Sequence, residues 1–122
     1  YLLARANLAV RAGGDPQRIA IDPGIGFGKT AHQSWHLLEH MERFHDLEIP
    51  LLVGHSRKSF LRTVTEKPSA GRDVETLTVS RGLVEKGVEI LRVHDVEGHA
   101  TLVSRHHSDR LSQLDAGAAV KP

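Results

Sequence analysis

Apolar residues along the chain alternate between stretches of helical period and short uninterrupted runs. Residues 1–12 have helical spacing, and Gly13 and Gly14 follow them as a C-cap signal. The apolar positions of this first stripe are Leu2, Leu3, Ala6, Ala9 and Val10. Three short apolar runs then predict buried parallel strands, at residues 19–21, 50–53 and 88–91.

A helical pattern follows each run, over about residues 30–47, 73–86 and 96–107. Thr30 and Gln33 form a capping box at the start of the first of these helices, and Asp73 is the expected N-cap of the second. A short helix is expected at residues 59–64. The residues expected to face the core are Leu37, Leu38, Met41 and Phe44 in the first of the three helices, and Val74, Leu77, Leu83 and Val84 in the second.

The predicted order of elements, α-βα-βα-βα, is typical of sequential βα units with parallel strands and right-handed crossovers. Asp22 precedes Ser56 by 34 residues and Ser56 precedes Arg92 by 36, so units of similar length recur. Three strands would leave two unpaired sheet edges, which favours an incomplete α/β fold. We expect residues 1–107 to form the folded unit and residues 108–122, rich in Ala and Gly, to be a flexible tail.

Composition narrows the classes of function. The 122 residues are 39% hydrophobic and 25% charged, as in ordinary globular proteins. A net charge of +1 gives no electrostatic indication of nucleic-acid binding, and the absence of cysteine excludes disulfides and thiolate metal sites. No apolar run approaches the roughly 20 residues of a membrane span. Residues 1–5 do not resemble a secretory signal, so a cytoplasmic location is expected.

A glycine-rich segment, residues 22–29, follows the first predicted strand. It lacks the early glycine of a phosphate loop, and Lys29 stands where the dinucleotide-binding fingerprint needs glycine. A tight strand-to-helix turn would by itself explain the glycines. Asp22 favours a functional role, because a carboxylate that ends an apolar strand must be paired, protonated or directed at a ligand.

Polar residues also follow the other two predicted strands. Arg57 and Lys58 come after the second, where a solvated loop and helix start is the alternative. Arg92 and His94 end the third and, as alternate residues of a strand, would point the same way. Arginine can bind a diphosphate through two N–H groups and can stack on a flat ring. Together with Asp22, these residues favour a site for an anion and a polar aromatic heterocycle.

Histidines recur on the helix predicted after the glycine-rich segment. His32, His36 and His40 repeat every four residues, which is close to metal-ligand spacing. Glu39 lies one position off that row, and acidic residues are otherwise sparse on this face. An exposed polar stripe is therefore favoured over a metal site.

Three strings, DPGIGFGK, LLVGHSRKSF and LRVHDV, resemble dihydropteroate synthases in their order and spacing. The resemblance covers roughly residues 1–107. It implies a (β/α)8 barrel, of which this chain would be the C-terminal portion from the fifth helix through the eighth βα unit. It also implies a reaction of folate biosynthesis, the condensation of 6-hydroxymethyl-7,8-dihydropterin diphosphate with 4-aminobenzoate to 7,8-dihydropteroate. His55 departs from the pattern, which has an apolar residue there.

The resemblance also implies roles for individual residues. Asp22 would hydrogen-bond the amino-pyrimidine edge of the pterin, and Lys58 would reach its carbonyl and ring nitrogen. Arg92 would stack over the pterin and, with His94, hold the diphosphate. The expected catalytic residues are Lys58, Arg92 and His94.

Phe27 and Ser56 would line the 4-aminobenzoate pocket, and Gly54 would lie beside the substrates. The expected substrate-binding residues are thus Asp22, Phe27, Gly54, Ser56, Lys58, Arg92 and His94.

In the family, the first four strands supply an asparagine ligand for magnesium and further residues around the diphosphate and the pterin. The resemblance therefore implies Mg2+ as a cofactor whose ligands lie outside this chain, and little or no activity of the chain alone. A homodimer, or association with the missing barrel half, is expected. Two alternatives stay open: a barrel like that of methyltetrahydrofolate methyltransferases, which needs no diphosphate clamp, and a non-catalytic remnant that folds only by association.

Overall fold

The computed structural model describes residues 1–118. Its α-helices and strands follow the predicted order, with short 3-10 helices in several connections. The α-helices are α1 (Leu2–Arg11), α2 (Ala31–Glu39), α3 (Asp73–Glu85) and α4 (Val96–Ala118), and the strands are β1 (Leu52–Val53) and β2 (Ile90–Leu91).

The two strands pair in parallel, with Leu52 opposite Ile90. The first predicted strand is reduced to one parallel bridge between Ile21 and Leu51, in which the Leu52 amide donates to the Ile21 carbonyl over 2.8 Å. The short pairing has a local cause, because Pro23 has no amide hydrogen to extend a ladder. The order of the three segments is nevertheless the sequential parallel order that the pattern predicts.

The hydrophobic core lies between these segments and the helices α2 and α3. Leu51 and Val53 are fully buried, as are Met41 and Leu61. The stripe predicted for α1 is wrong in part, since Ala6 is buried whereas Leu3 and Val10 are 43% and 39% exposed.

The connections correct several helix boundaries. The Thr30–Gln33 capping box is confirmed, with both of its hydrogen bonds formed. The helix predicted to continue to residue 47 instead ends at Glu39, and a 3-10 helix follows over Met41–Leu47. Residues Ser59–Thr63 also form a 3-10 helix. Asp73 is not an N-cap: Arg72 holds that position, and the Asp73 carboxylate is used in an ion pair described below.

The last helix is longer than predicted. It continues to Ala118, so the helix end expected near residue 107 is wrong. Each residue added to an existing helix gains a backbone hydrogen bond without a new nucleation step, and the 108–118 stretch contains one Gly and no Pro to oppose it. Residues 119–122 of the expected tail lie outside the described residues, and the flexibility of the tail stays a prediction.

The apolar inner face predicted for α3 is correct only in part. Leu83 is buried as predicted, but Thr76 and Ser80 are fully buried beside it, whereas Val74 is 65% exposed. The Thr76 hydroxyl donates to the carbonyl oxygen of Arg72 over 2.7 Å, and Ser80 lies against two buried histidines. A buried imidazole requires a hydrogen-bonding partner.

Ser80 joins two such histidines in a buried chain. Its Oγ lies 2.7 Å from Nε2 of His55 and 2.7 Å from Nε2 of His99. The Nδ1 atom of His99 lies 2.7 Å from the carbonyl oxygen of Asp95, to which it can only donate. Ser80 Oγ also lies 2.9 Å from the carbonyl oxygen of Thr76, so its single hydrogen is shared between that oxygen and Nε2 of His99. With neutral rings, His55 then donates to Ser80 through Nε2. Nδ1 of His55 is then a buried lone pair without a partner.

Stability should fall with acidification because of His55. Burial is the main cause that lowers the pKa of His55 from 6.5 to about 4. Below pH 6.5 the unfolded chain therefore binds a proton that the folded chain excludes, and the free energy of unfolding should drop by about 1.4 kcal/mol per pH unit until the folded pKa is reached. Urea denaturation at pH 7, 6 and 5 measures this slope.

The matched variant is His55→Met, which removes the titrating group at similar volume. It should unfold with a clearly smaller pH dependence over the same interval. An unchanged slope in this variant would show that other groups cause the acid sensitivity.

Candidate functional site

Three loops meet at the carboxyl edge of the strand segments, and each begins with one of the predicted site residues. Asp22 follows the Ile21 bridge, Gly54 follows β1 and Arg92 follows β2. Nη2 of Arg92 lies 3.4 Å from Oδ2 of Asp22, although the two residues are 70 positions apart in the chain. The structure therefore brings the first and third predicted segments into direct contact.

The glycine-rich segment forms the tight turn that its composition allows. Gly24, Gly26 and Gly28 have φ angles of 73°, 81° and 58°, in the left-handed region that favours glycine. The Gly24 amide donates to Oδ1 of Asp22 over 2.8 Å, so the first residue of the segment helps to fold it. Nζ of Lys29 donates to the carbonyls of Gly24 and Phe27, which turns this cation toward the loop itself.

Lys58 crosses from the second loop to this turn. Its ammonium donates to the carbonyl oxygen of Ile25 and lies 4.3 Å from the centre of the Phe27 ring. Partial burial lowers the pKa of Lys58, and the positive charge of Arg92 lowers it further, against the opposing effect of Asp22. Phe27 is 66% exposed, so one aromatic face is held in solvent beside a cation.

Gly54 is required by the position of Arg92. A Cβ atom at residue 54 would lie 2.9 Å from Cζ and from Nε of Arg92, closer than non-bonded carbon atoms approach. Gly54 itself is buried, and the guanidinium rests directly against its backbone. Glycine at this point is thus what allows the cation to reach Asp22.

His94 is held by Ser56. The Ser56 hydroxyl lies 2.7 Å from Nδ1 of His94 and accepts from the His94 backbone amide at 3.2 Å. Because the oxygen of this hydroxyl accepts from the amide, its hydrogen is available to donate to Nδ1. That donation favours a His94 ring protonated on Nε2. His94 is exposed and contacts Ser56, whereas Arg92 contacts Asp22 and Gly54. The two predicted site residues of the third segment therefore have different partners.

Arg57, Asp73 and Arg72 hold the second loop in place, and of these only Arg72 was not singled out by the sequence pattern. Arg57 has a φ of 59° and forms two hydrogen bonds to Asp73, at 2.8 and 2.9 Å. Arg72 is only 5% exposed, and its Nη1 donates to the carbonyls of Arg57 and Lys58 at 3.1 and 3.3 Å. The Arg57 guanidinium lowers the pKa of Asp73, which keeps the pair ionised.

The charges of this site suit an anion better than a metal ion. The carboxylate of Asp22 is flanked by Arg92 and influences Lys58, so a divalent cation placed here would meet positive charge. The Mg2+ ligands are expected outside this chain, and their location stays a prediction. Among residues 1–118, no helix is both long and apolar enough to cross a membrane.

Comparison with known proteins identifies relatives among pterin binding enzymes and proteins of folate synthesis. Residues 1–94 match the family of pterin binding enzymes. The folate synthesis bifunctional protein of Chlamydia muridarum is 47% identical over 88 residues, which are 71% of this chain and 20% of that protein. The dihydropteroate synthase of Neisseria meningitidis is 41% identical over 102 residues, or 82% of this chain and 36% of that enzyme.

The fold has the same relatives. The structure of Xanthomonas albilineans dihydropteroate synthase in complex with 7,8-dihydropteroate superposes with a TM-score of 0.83 at 31% identity, over 89% of this chain and 42% of that one. The predicted fold class, the C-terminal part of a (β/α)8 barrel, is confirmed. The chain spans less than half the length of each of these relatives.

The charges around Lys58 predict the direction in which its pKa changes in two variants. Removing the like charge in Arg92→Leu should raise the pKa of Lys58, whereas removing the opposite charge in Asp22→Asn should lower it. NMR titration of the Lys58 side chain measures both shifts, with Arg81→Leu on the exposed surface of α3 as a control that should leave the value unchanged. Shifts of the same sign in the two site variants would contradict the arrangement.

Proposed function

Because this chain belongs to the pterin binding enzymes, as a relative of the dihydropteroate synthases, we propose that it forms the pterin and diphosphate half of a dihydropteroate synthase site. The reaction would join 6-hydroxymethyl-7,8-dihydropterin diphosphate to 4-aminobenzoate. The observation that carries the proposal is the contact between Asp22 and Arg92, with Lys58 in the same electrostatic environment.

Asp22 would bind the amino-pyrimidine edge of the pterin. Its Oδ1 is already fixed by the Gly24 amide, which orients the carboxylate. The contact of Oδ2 with Arg92, at 3.4 Å, is longer than the 2.7–2.9 Å or so of a well-formed charged hydrogen bond. The ring and amino N–H groups of the pterin can therefore compete with Arg92 for this oxygen, because the Arg92 contact is weak.

Lys58 and Arg92 would then be placed for the other parts of the ligand. Lys58 would donate to the pterin carbonyl and ring nitrogen, since its ammonium has donors left beyond the one given to Ile25. Arg92, released from Asp22, would lie over the ring and share the diphosphate with His94. The Nε2 hydrogen of His94 is the donor available for that anion, because Ser56 holds Nδ1.

These residues explain the chemistry without a side-chain nucleophile. The aniline nitrogen of 4-aminobenzoate attacks the methylene carbon of the pterin, the bond from that carbon to the diphosphate oxygen breaks, and the nitrogen loses a proton. Negative charge grows on the departing diphosphate, so pre-arranged cations favour the transition state over the bound substrates. Phe27, with its exposed ring, and Ser56 would border the 4-aminobenzoate.

Several parts of the site would come from outside these residues. We propose that Mg2+ and its ligands, together with the loops over the diphosphate, belong to the remaining strands of the barrel. A homodimer, or association with those strands, would pair the open edges of the sheet. The proposed location of this assembly is the cytoplasm. The isolated chain would accordingly bind ligand weakly and turn over little or no substrate.

A turnover assay tests whether the isolated chain is inactive. Given both substrates and Mg2+, the purified 122-residue chain should produce no dihydropteroate above background. A full-length bacterial dihydropteroate synthase assayed in parallel is the positive control. Near-normal turnover by the chain would refute the view that essential groups lie elsewhere.

Ligand binding tests the proposed pterin contact. Asp22→Asn should weaken binding of the pterin diphosphate by about 10- to 100-fold, because a hydrogen bond to a charged group is worth roughly 1.5–3 kcal/mol. Fluorescence titration of the pterin measures the affinity, and Asp109→Asn on exposed α4 is the matched control. Equal affinities of the two variants would contradict the assignment of Asp22.

The same titration separates the alternatives. Free diphosphate should compete with the pterin diphosphate if Arg92 and His94 bind the anion. A barrel of the methyltetrahydrofolate methyltransferase kind would bind the pterin without such competition. A non-catalytic assembly module would show association in sedimentation experiments and no turnover, with or without pterin binding, and a stable, well-folded monomer would count against it.

A further inference from the structure

The end of α2 carries a group of three potential metal ligands outside the strand-end site. One ligand atom from each of His36, Glu39 and His40 lies within 4.8 Å of the other two. The rings of His36 and His40 have centroids 4.4 Å apart and are inclined by 40°. His36 and Glu39 are exposed and His40 is half-buried, so the group is open to solvent on one side.

The backbone fixes how His40 is protonated. Nδ1 of His40 lies 2.8 Å from the carbonyl oxygen of His36. A carbonyl oxygen can only accept, so Nδ1 carries the hydrogen and Nε2 keeps its lone pair while the ring is neutral. Metal-binding histidines commonly have this arrangement, in which one ring nitrogen donates to a carbonyl and the other binds the ion.

The local fold also distinguishes these residues from a continuous polar stripe. The α-helix ends at Glu39, and His40 has φ −114° at the junction with the following 3-10 helix. His40 is therefore outside the regular helical row that the sequence pattern predicts. Its ring is turned back against the last turn of α2 by its bond to the His36 carbonyl.

We propose that His36, Glu39 and His40 form a binding site for a divalent transition-metal ion of the Zn2+ class. The ligands are Nε2 of His40, a ring nitrogen of His36 and a carboxylate oxygen of Glu39, and a fourth position is left for water. Ligand atoms of a tetrahedral zinc ion are about 3.3 Å apart, given bonds of about 2.0–2.1 Å. In the structure the ligand atoms lie within 4.8 Å of one another. Rotation of the exposed side chains of His36 and Glu39 can bring them to the shorter distance.

Two imidazoles select the metal. Imidazole favours Zn2+, Ni2+ and Cu2+, whereas Mg2+ favours oxygen ligands. The site is therefore separate from the proposed magnesium of the synthase reaction, and its existence does not depend on that reaction. A shallow groove lined by Gly28, Lys29, His32, Gln33, His36 and Leu37 connects it to the glycine-rich turn.

Calorimetric titration of the intact chain with Zn2+ alone, in a buffer that does not bind zinc, tests the proposal. We expect one site of micromolar affinity in the wild type, at least tenfold weaker binding in His36→Gln and in His40→Gln, and no competition by millimolar Mg2+. Circular dichroism checks that the variants fold. The exposed residues His36 and Glu39 allow the test even if His40→Gln is unstable.

His32→Gln is the matched control, since His32 lies one turn before His36 on the same helix and is outside the group. It should bind Zn2+ like the wild type. Binding that is lost with His32 but kept without His40 would place the ion in an ordinary pair of helical histidines and overturn the proposal. Wild-type affinity no tighter than that of the His36→Gln, His40→Gln double variant would overturn it as well.

Discussion

The register of three parallel backbone segments determines where every functional side chain lies. Ile21 pairs with Leu51, and Leu52 pairs with Ile90, so the residues that follow each segment emerge at one edge. The pairing involves few residues, yet it brings Asp22 to Arg92. Parallel strands depend on crossover helices to hold such a register, because no hairpin joins them. The packing of α2 and α3 against Leu51 and Val53 is thus a condition for the site as well as for the core.

The second loop, residues 54–58, is held in place by the charged side chains of Arg57, Arg72 and Asp73. Arg72 is nearly inaccessible, and its donors end on the carbonyls of Arg57 and Lys58. Arg57 in turn holds a left-handed backbone conformation through Asp73. Each of these groups is satisfied, which is the condition under which buried polar groups fix a structure rather than weaken it. The backbone that presents Lys58 is therefore held on one side by hydrogen bonds and on the other by the glycine-rich turn.

The sequence predicted the features that depend on local pattern, and missed those that depend on distant partners. The Thr30 capping box and the order of the strands follow from spacing and residue type alone. The contact of Asp22 with Arg92 could be anticipated because strand ends share an edge. The anchoring by Arg72 could not, since nothing near residue 72 distinguishes a buried guanidinium from a solvated one. Buried Ser80 on α3 is a similar case, because its hydroxyl is needed only opposite His55 and His99.

The contact of Gly54 with Arg92 makes the effect of a substitution at one position depend on the residue at the other. A methyl group at residue 54 would occupy space now filled by the guanidinium, which is the far end of a flexible and largely exposed side chain. An alanine there would therefore turn Arg92 away from Asp22 and leave the backbone of the loop in place. Its effect would depend on the role of Arg92, so a chain that already lacked this arginine would accept the same alanine with little further change.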